Sequence, residues 1–363
     1  MTAPKTARPF EWDEYSDQPK IILDKAFKRR MRLQQWSDLL KMLATAGVML
    51  PSAMIAMGLR PLLSRQSPPL RQAQANFFGM GVSPERGDIQ YDLVAELGVT
   101  ELLVRLPLWK LEDLSAYLRF IEGWERRGCN VLVSLLQDPR AIGNVSNMEA
   151  QAREALAALG GLVSRIQVGN AINRTKWGFY SVAEYLDFYE VCQAARDVFA
   201  PSAKLCGPAV IDFEYHYTAR ALFNARKVQF DQVSALLYVD RCGHPQTRQL
   251  GFFDTTKKIQ LLNWLVEMSP KVVTPKLLIT EVNWPLNGTA PYAPTSECEC
   301  VSEEEYGDYM VAYHHIALAT QMVETVYWHQ LIAPGYGLID NREGSLRKRP
   351  AFGRYKRMVQ ETA

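Results

Sequence analysis

The chain has 363 residues, 48% hydrophobic and 22% charged, an ordinary globular composition long enough for one large domain or two small ones. Its formal net charge of +2 is near neutral, and much of the basic excess lies in the N-terminal segment, which argues against a nucleic-acid surface. Six cysteines (Cys129, Cys192, Cys206, Cys242, Cys298 and Cys300) lack metal-ligand spacing, so no metal or cofactor is expected. Cys242 and Cys298 or Cys300 fall in loops at one predicted end of the fold, where a disulfide is compatible with a location outside the cytoplasm.

In chain order, residues 1–37 form a basic segment and residues 38–62 a predicted transmembrane or signal-anchor helix. Met42–Leu59 carries no charge and follows Lys25, Lys28, Arg29, Arg30, Arg32 and Lys41. A run of this length reads as a membrane span, and the basic flank then stays cytoplasmic. Everything after Arg60 is placed across the membrane, in the periplasm or outside the cell. The competing reading is a helix rich in Ala, Gly and Met, containing Pro51, that packs against the rest of the protein. Residues 63–75 are polar and proline-bearing, which suits a linker.

From residue 76 to 356, short apolar runs rich in β-branched residues alternate with stretches of helical spacing, the signature of repeated βαβ units. Eight strands can be counted: Phe77–Val82, Glu101–Leu106, Asn130–Leu136, Arg165–Asn170, Lys204–Val210, Val233–Val239, Lys276–Glu281 and Thr325–Gln330. Helices are predicted at Leu111–Arg127, Met148–Leu159, Ser181–Phe199, Asp254–Met268 and Glu303–Val323, the third opened by a Ser181/Glu184 capping box. Residues 357–363 read as a tail. Eight such units predict a (β/α)8 barrel, whose working groups sit at the C-terminal ends of the strands.

Those strand ends carry a distinctive set. Strand four closes with Gly169-Asn170-Ala171-Ile172-Asn173 and strand seven with Thr280-Glu281-Val282-Asn283-Trp284-Pro285. Here the chain resembles the clan of retaining glycoside hydrolases known as the 4/7 superfamily, in which an Asn-Glu pair closes strand four and a second Glu closes strand seven. The resemblance implies that Glu281 is the nucleophile, that Asn170 contacts the sugar, and that Ala171 stands where the acid/base glutamate belongs. It further implies that Arg105 holds the nucleophile ionised, Tyr238 orients it, and Trp328 floors the sugar subsite.

Retaining hydrolysis needs two carboxyls, one as nucleophile and one to protonate the leaving oxygen and then activate water. Alanine can do neither. Three accounts of Ala171 stand open: a deliberate Glu-to-Ala change in an active enzyme, a takeover by Asp212, Glu214 or Asp240, or a natural pseudoenzyme. Trp109, Trp177, Tyr180, Trp284 and Tyr336 lie just beyond strand ends, where ring faces stack on sugars. His216, His244, Asp138, Arg174 and Lys176 fall at the same end, the two cations suiting an acidic glycan. The expected partners are an oligo- or polysaccharide and, through the N-terminal helix, a membrane. The expected function is that of a glycoside hydrolase-like protein, with a non-catalytic glycan-binding or assembly protein as the alternative and unrelated barrel chemistry as a third reading.

Overall fold

The computed structural model describes residues 8–63, 76–239 and 242–362. Asp240 and most of the expected linker therefore lie outside the described residues. Strands β3 (Phe78–Val82), β4 (Glu101–Pro107), β5 (Asn130–Leu136), β6 (Arg165–Val168), β7 (Lys204–Ile211), β8 (Gln232–Leu236), β9 (Leu277–Val282) and β10 (Val323–Trp328) follow a short N-terminal hairpin, β1 (Trp12–Asp13) and β2 (Gln18–Pro19). The eight strands β3 to β10 pair in parallel and in sequence order, and β10 closes on β3. The predicted (β/α)8 barrel is thus the fold. A two-stranded ribbon, β11 (Ile339–Asp340) and β12 (Arg347–Lys348), follows β10.

Parallel strands covered by helices are buried on both faces, which is why they read as nearly continuous apolar runs. Leu103, Leu132, Cys206, Leu278 and Tyr327 fill the barrel's inside. Leu102, Val104, Val131, Val133, Ile166, Leu205, Val233 and Ile279 pack outward in the larger core shared with the helices. The helical layer comprises α3 (Ile89–Leu97), α4 (Leu114–Glu125), α5 (Val145–Leu159), α6 (Val182–Phe199), α7 (Tyr215–Leu222), α8 (Thr255–Met268), α9 (Glu303–Thr320) and α10 (Pro350–Thr362). Helix α10 runs through residues expected to be a tail, because Phe352, Tyr355, Met358 and Val359 give it a buried stripe against the barrel.

Asn144, Ser181, Asp254 and Ser302 cap α5, α6, α8 and α9 by accepting from backbone N–H groups three residues on. The full reciprocal box belongs to Ser302 and Glu305. At Ser181 only half of the expected box forms, since the Glu184 carboxylate is drawn instead to Arg8 and to the Tyr180 N–H. At the opposite end of the barrel from the candidate site, Arg165 joins Glu101 and Glu324, and Lys276 also binds Glu324.

The N-terminal segment departs most from expectation. Helices α1 (Lys25–Gln34) and α2 (Trp36–Leu63) precede the barrel, and the Trp36–Leu59 stretch is long and apolar enough to cross a membrane. Here, however, α2 lies along the barrel against α7 and α8. Asp38, on α2, pairs with Arg220 of α7 at 2.7 Å with both side chains buried, and accepts from the Ala183 N–H at 3.0 Å. Ahead of it, Arg8 pairs with Glu184 and the hairpin sits in the barrel mouth. A bilayer-crossing α2 would put residues 8–35 on the opposite side of the membrane from the barrel they touch. In one molecule the expected span and this arrangement exclude each other.

A buried cation stripped of its partner typically costs about 3–5 kcal/mol. Asp38→Ala is therefore expected to lower the urea-unfolding free energy of the barrel by about that amount. If α2 leaves the barrel to span a bilayer, the substitution will leave the unfolding midpoint of the detergent-solubilised protein unchanged.

Candidate active site

Glu281 closes β9 at the barrel's C-terminal end. Between the pairs Val326–Ile279 and Trp328–Val282, β9 carries one residue more than β10, a bulge that breaks the inward–outward alternation just before Glu281. Its Oε1 accepts a 2.7 Å hydrogen bond from the Tyr238 hydroxyl, just past β8. Burial acts to push this carboxyl up, but His329, Arg105, the hydrogen bond from Tyr238 and the nearby Asn170 side chain outweigh it and hold Glu281 below the usual glutamate range. His329 is itself pushed down by burial, so its help vanishes once it loses its proton. At neutral pH the Arg105 charge, the Tyr238 hydrogen bond and the nearby Asn170 side chain remain. Burial and the adjacent carboxylate both push the Tyr238 hydroxyl up, which keeps it a donor.

Asn170 reaches this place through a tightly determined loop. Gly169 has φ +78°, a left-handed conformation glycine accepts freely, and a Cβ there would meet the Tyr185 ring at 3.3 Å. Gln137, fully buried at the end of β5, donates to the Asn170 and Trp177 carbonyls and accepts from the Asn170 N–H. Asn173 locks the other side, exchanging hydrogen bonds with both backbone groups of Ile211. Gln137 had no place in the sequence reading, although a polar residue closing an apolar strand was a usable signal.

Ala171 has φ +44° and is 1% exposed. It lies in an apolar cluster with Leu136, Trp177, Ala209 and Leu236, closed over by Trp12, Trp109, Ile211 and Tyr238. Of the candidate substitutes, the two among the described residues are engaged elsewhere. Asp212 and Glu214 both pair with Arg174, and Glu214 also accepts from Asn173. Asp138, expected at the saccharide end, is buried on Arg140 and Gln151.

Arg105 is near Glu281, but its ion pair is with Asp17 of the hairpin. Nη1 donates to Asp17 Oδ2 at 2.8 Å, Nη2 to the Asp17 carbonyl at 3.2 Å, and Gln330 Nε2 to the same Oδ2 at 3.0 Å. The guanidinium carbon stands 5.7 Å from the Trp12 ring centroid and 5.5 Å from that of Trp177. Trp12 in turn packs on Trp109 at 4.9 Å and edge-on to Trp177 at 6.0 Å. The hairpin thus covers the two tryptophans expected to stack on a sugar. Lys176 donates to Gln18 of the same hairpin, and Tyr180 is covered by Phe27 and Arg8.

Two expected saccharide contacts need correcting. Trp328 and Trp284 are both fully buried and stack on each other at 6.0 Å, with Trp328 Nε1 donating to the Tyr306 hydroxyl. They face the helical layer because β10 directs Trp328 outward, and neither can floor a sugar subsite. Tyr336, also buried, stacks on His329 at 5.4 Å. His216, in the first turn of α7, lies against Tyr217, and His244, on a loop, against Tyr309. Cys242, Cys298 and Cys300 are free thiols. Among the described residues no cluster of His, Cys, Asp and Glu could hold a metal ion.

A carboxyl whose folded pKa is depressed adds stability that is complete above its unfolded value and lost as pH falls through the folded one. Tyr238→Phe removes a donor to the ionised form. The Glu281 pKa is therefore expected to rise, read by carbon-13 NMR titration of the side-chain carboxyl, with the acid-side loss of stability moving to higher pH. An unchanged titration would show that Tyr238 contributes nothing to the ionised state.

No protein-family model and no curated protein matches the chain. Solved structures do match in fold. A glucosidase from Croceicoccus marinus aligns over 79% of this chain and 68% of its own, with a TM-score of 0.57 and 16% identity. A GH39 β-xylosidase from Caulobacter crescentus aligns over 81% and 72%, also at 0.57 and 16%. A β-glucosidase mutant derived from a hyperthermophilic tetrameric structure aligns over 79% and 95%, at 0.56 and 12%. At these identities the likeness is one of fold, a closed (β/α)8 barrel that this chain shares with these glycosidases.

Proposed function

We propose that the barrel mouth is a glycan site of the retaining type, with Glu281 as its nucleophile and no acid/base at position 171. The observation that carries this is the Glu281 carboxylate at the end of barrel strand seven, hydrogen-bonded by Tyr238 and held ionised in a largely buried place. Such a carboxylate can attack an anomeric carbon. Alanine at position 171 cannot protonate the leaving oxygen, so without another acid the first step is confined to leaving groups that depart as stable anions. Asn170 and Tyr238 orient the nucleophile, while Arg105 supplies compensating charge.

A second reading, a glycan-binding pseudoenzyme, is favoured by the surroundings of Ala171. A glutamate there would meet Trp177 and Trp12 rather than water or a polar partner. The two readings separate on aryl glycosides with activated leaving groups. On a Trp12→Ala background, Ala171→Glu is expected to raise hydrolysis by about 10²- to 10⁴-fold. Azide should accelerate turnover by the Ala171 form, and Glu281→Ala should abolish both. Turnover that survives Glu281→Ala would remove the nucleophile assignment, and no turnover in any form would leave the pseudoenzyme reading.

We further propose that α1 and α2 hold the protein flat on an anionic membrane surface. Leu39, Leu40, Leu43, Val48 and Ile55 are 50–64% exposed on α2, beside exposed Lys25, Arg29, Arg30, Arg32 and Lys41. An apolar stripe flanked by cations suits the headgroup boundary of a bilayer, and this geometry leaves hairpin and barrel on one side. The protein is expected to co-sediment with phosphatidylglycerol vesicles, more weakly with phosphatidylcholine, and not after Leu40→Glu/Leu43→Glu. Binding unaffected by that double substitution would exclude α2 as the contact.

A further inference from the structure

Among the described residues, the barrel mouth contains a buried cation, Arg105, with no carboxylate of the barrel's own within hydrogen-bonding distance. Arg105 issues from β4 and its side chain is 10% exposed, while Gln330, after β10, is 5% exposed. Both donate to a single oxygen, Oδ2 of Asp17, carried in from residues 88 and 313 positions away in the chain. Asp17 holds φ +52°, a left-handed conformation unusual outside glycine, at the turn of the hairpin. Beside it, Trp12 lies against Trp109 and Trp177. Ring and carboxylate thus arrive together, one on the aromatic wall and the other on the guanidinium.

We propose that Arg105 and Gln330 form a carboxylate subsite within the glycan cleft, and that the ligand it takes is an acidic sugar which exchanges with the Asp17–Trp12 hairpin. The inference rests on the reading of this mouth as a glycan site and names the class of glycan. Its physical basis is the asymmetry between ligands. When the hairpin leaves, Arg105 loses the partner that compensates for its burial, and a buried guanidinium without an anion is strongly disfavoured. A neutral sugar restores the stacking on Trp109 and Trp177 but not the ion pair. A uronic acid restores both, because its ring presents apolar C–H faces and its carboxylate accepts from the planar guanidinium as Asp17 does. The amide of Gln330 adds a donor with no charge, which fixes where the carboxylate oxygen sits. Glu281 stays bonded to Tyr238 and is not displaced by the incoming anion.

The test compares D-glucuronate and D-galacturonate with D-glucose and D-galactose, all as free sugars so that both anomers are present, by isothermal titration calorimetry on the full chain. Trp12→Ala/Asp17→Ala opens the hairpin, and Asp17→Asn weakens the same contact with almost no change of shape should the double variant fold poorly. Either opened form is expected to bind the uronates at least tenfold more tightly than the neutral sugars and more tightly than the unaltered chain does. Arg105→Met on the same background is expected to erase the preference. Equal binding of acidic and neutral sugars by an opened form would overturn the carboxylate subsite and leave the glycan cleft standing. No binding of any sugar by an opened form that retains its circular dichroism and cooperative melting would overturn both.

Discussion

A guanidinium buried at the mouth of a barrel must have an anion. Arg105 sits among tryptophan rings, and Asp17 meets that demand. Much of the N-terminal architecture follows. To deliver Asp17, the hairpin must enter the mouth, which brings Trp12 over Trp109 and Trp177 and places Arg8 on Glu184. The chain then leaves through α1, whose Phe27 and Met31 pack with Tyr180, and α2 returns along α7 and α8 with Asp38 on Arg220. Among the described residues three ion pairs tie a non-barrel segment to the barrel, and two of them are buried on both sides.

The same constraint orders the electrostatics around Glu281. Arg105 feels both carboxylates, Asp17 more strongly than Glu281, and together they raise its pKa against the opposing effect of burial. Glu281 is therefore kept ionised without being consumed in an ion pair. Its lone pairs are left to Tyr238 and to whatever approaches along the cleft. One anion thus neutralises the cation while the other, Glu281, stays ionised outside an ion pair.

The barrel was readable in the sequence because doubly covered parallel strands are apolar throughout and end in polar residues. Arg105, Asn170, Tyr238 and Glu281 converge because strand ends of a barrel converge. Trp284 and Trp328 misled because strand position alone does not reveal whether a ring faces the mouth or the helical layer, and the bulge in β9 alters the alternation there. Helix α2 stays open to two readings because an apolar run of that length reads alike whether it lies against lipid or against protein. Only the single aspartate at its start, Asp38, distinguishes the two, and its partner lies 182 residues away. Asp17 and Trp12 gave no signal, since no local periodicity encodes a contact with a strand closed three hundred residues later.

That last separation bears on the order of assembly. Asp17 and Gln330 are 313 positions apart, and the hairpin can seat only when β4 and β10 are both in place. Loop-closure entropy grows slowly with length, but the closing surface must exist before the contact can stabilise anything. During synthesis the first elements to emerge are thus the last to dock. Until the final strand closes the barrel, Trp12 remains without its cover, open to a chaperone or a lipid surface, and the finished barrel withdraws the hairpin from both, whereas Leu39, Leu40, Leu43, Val48 and Ile55 of α2 stay exposed.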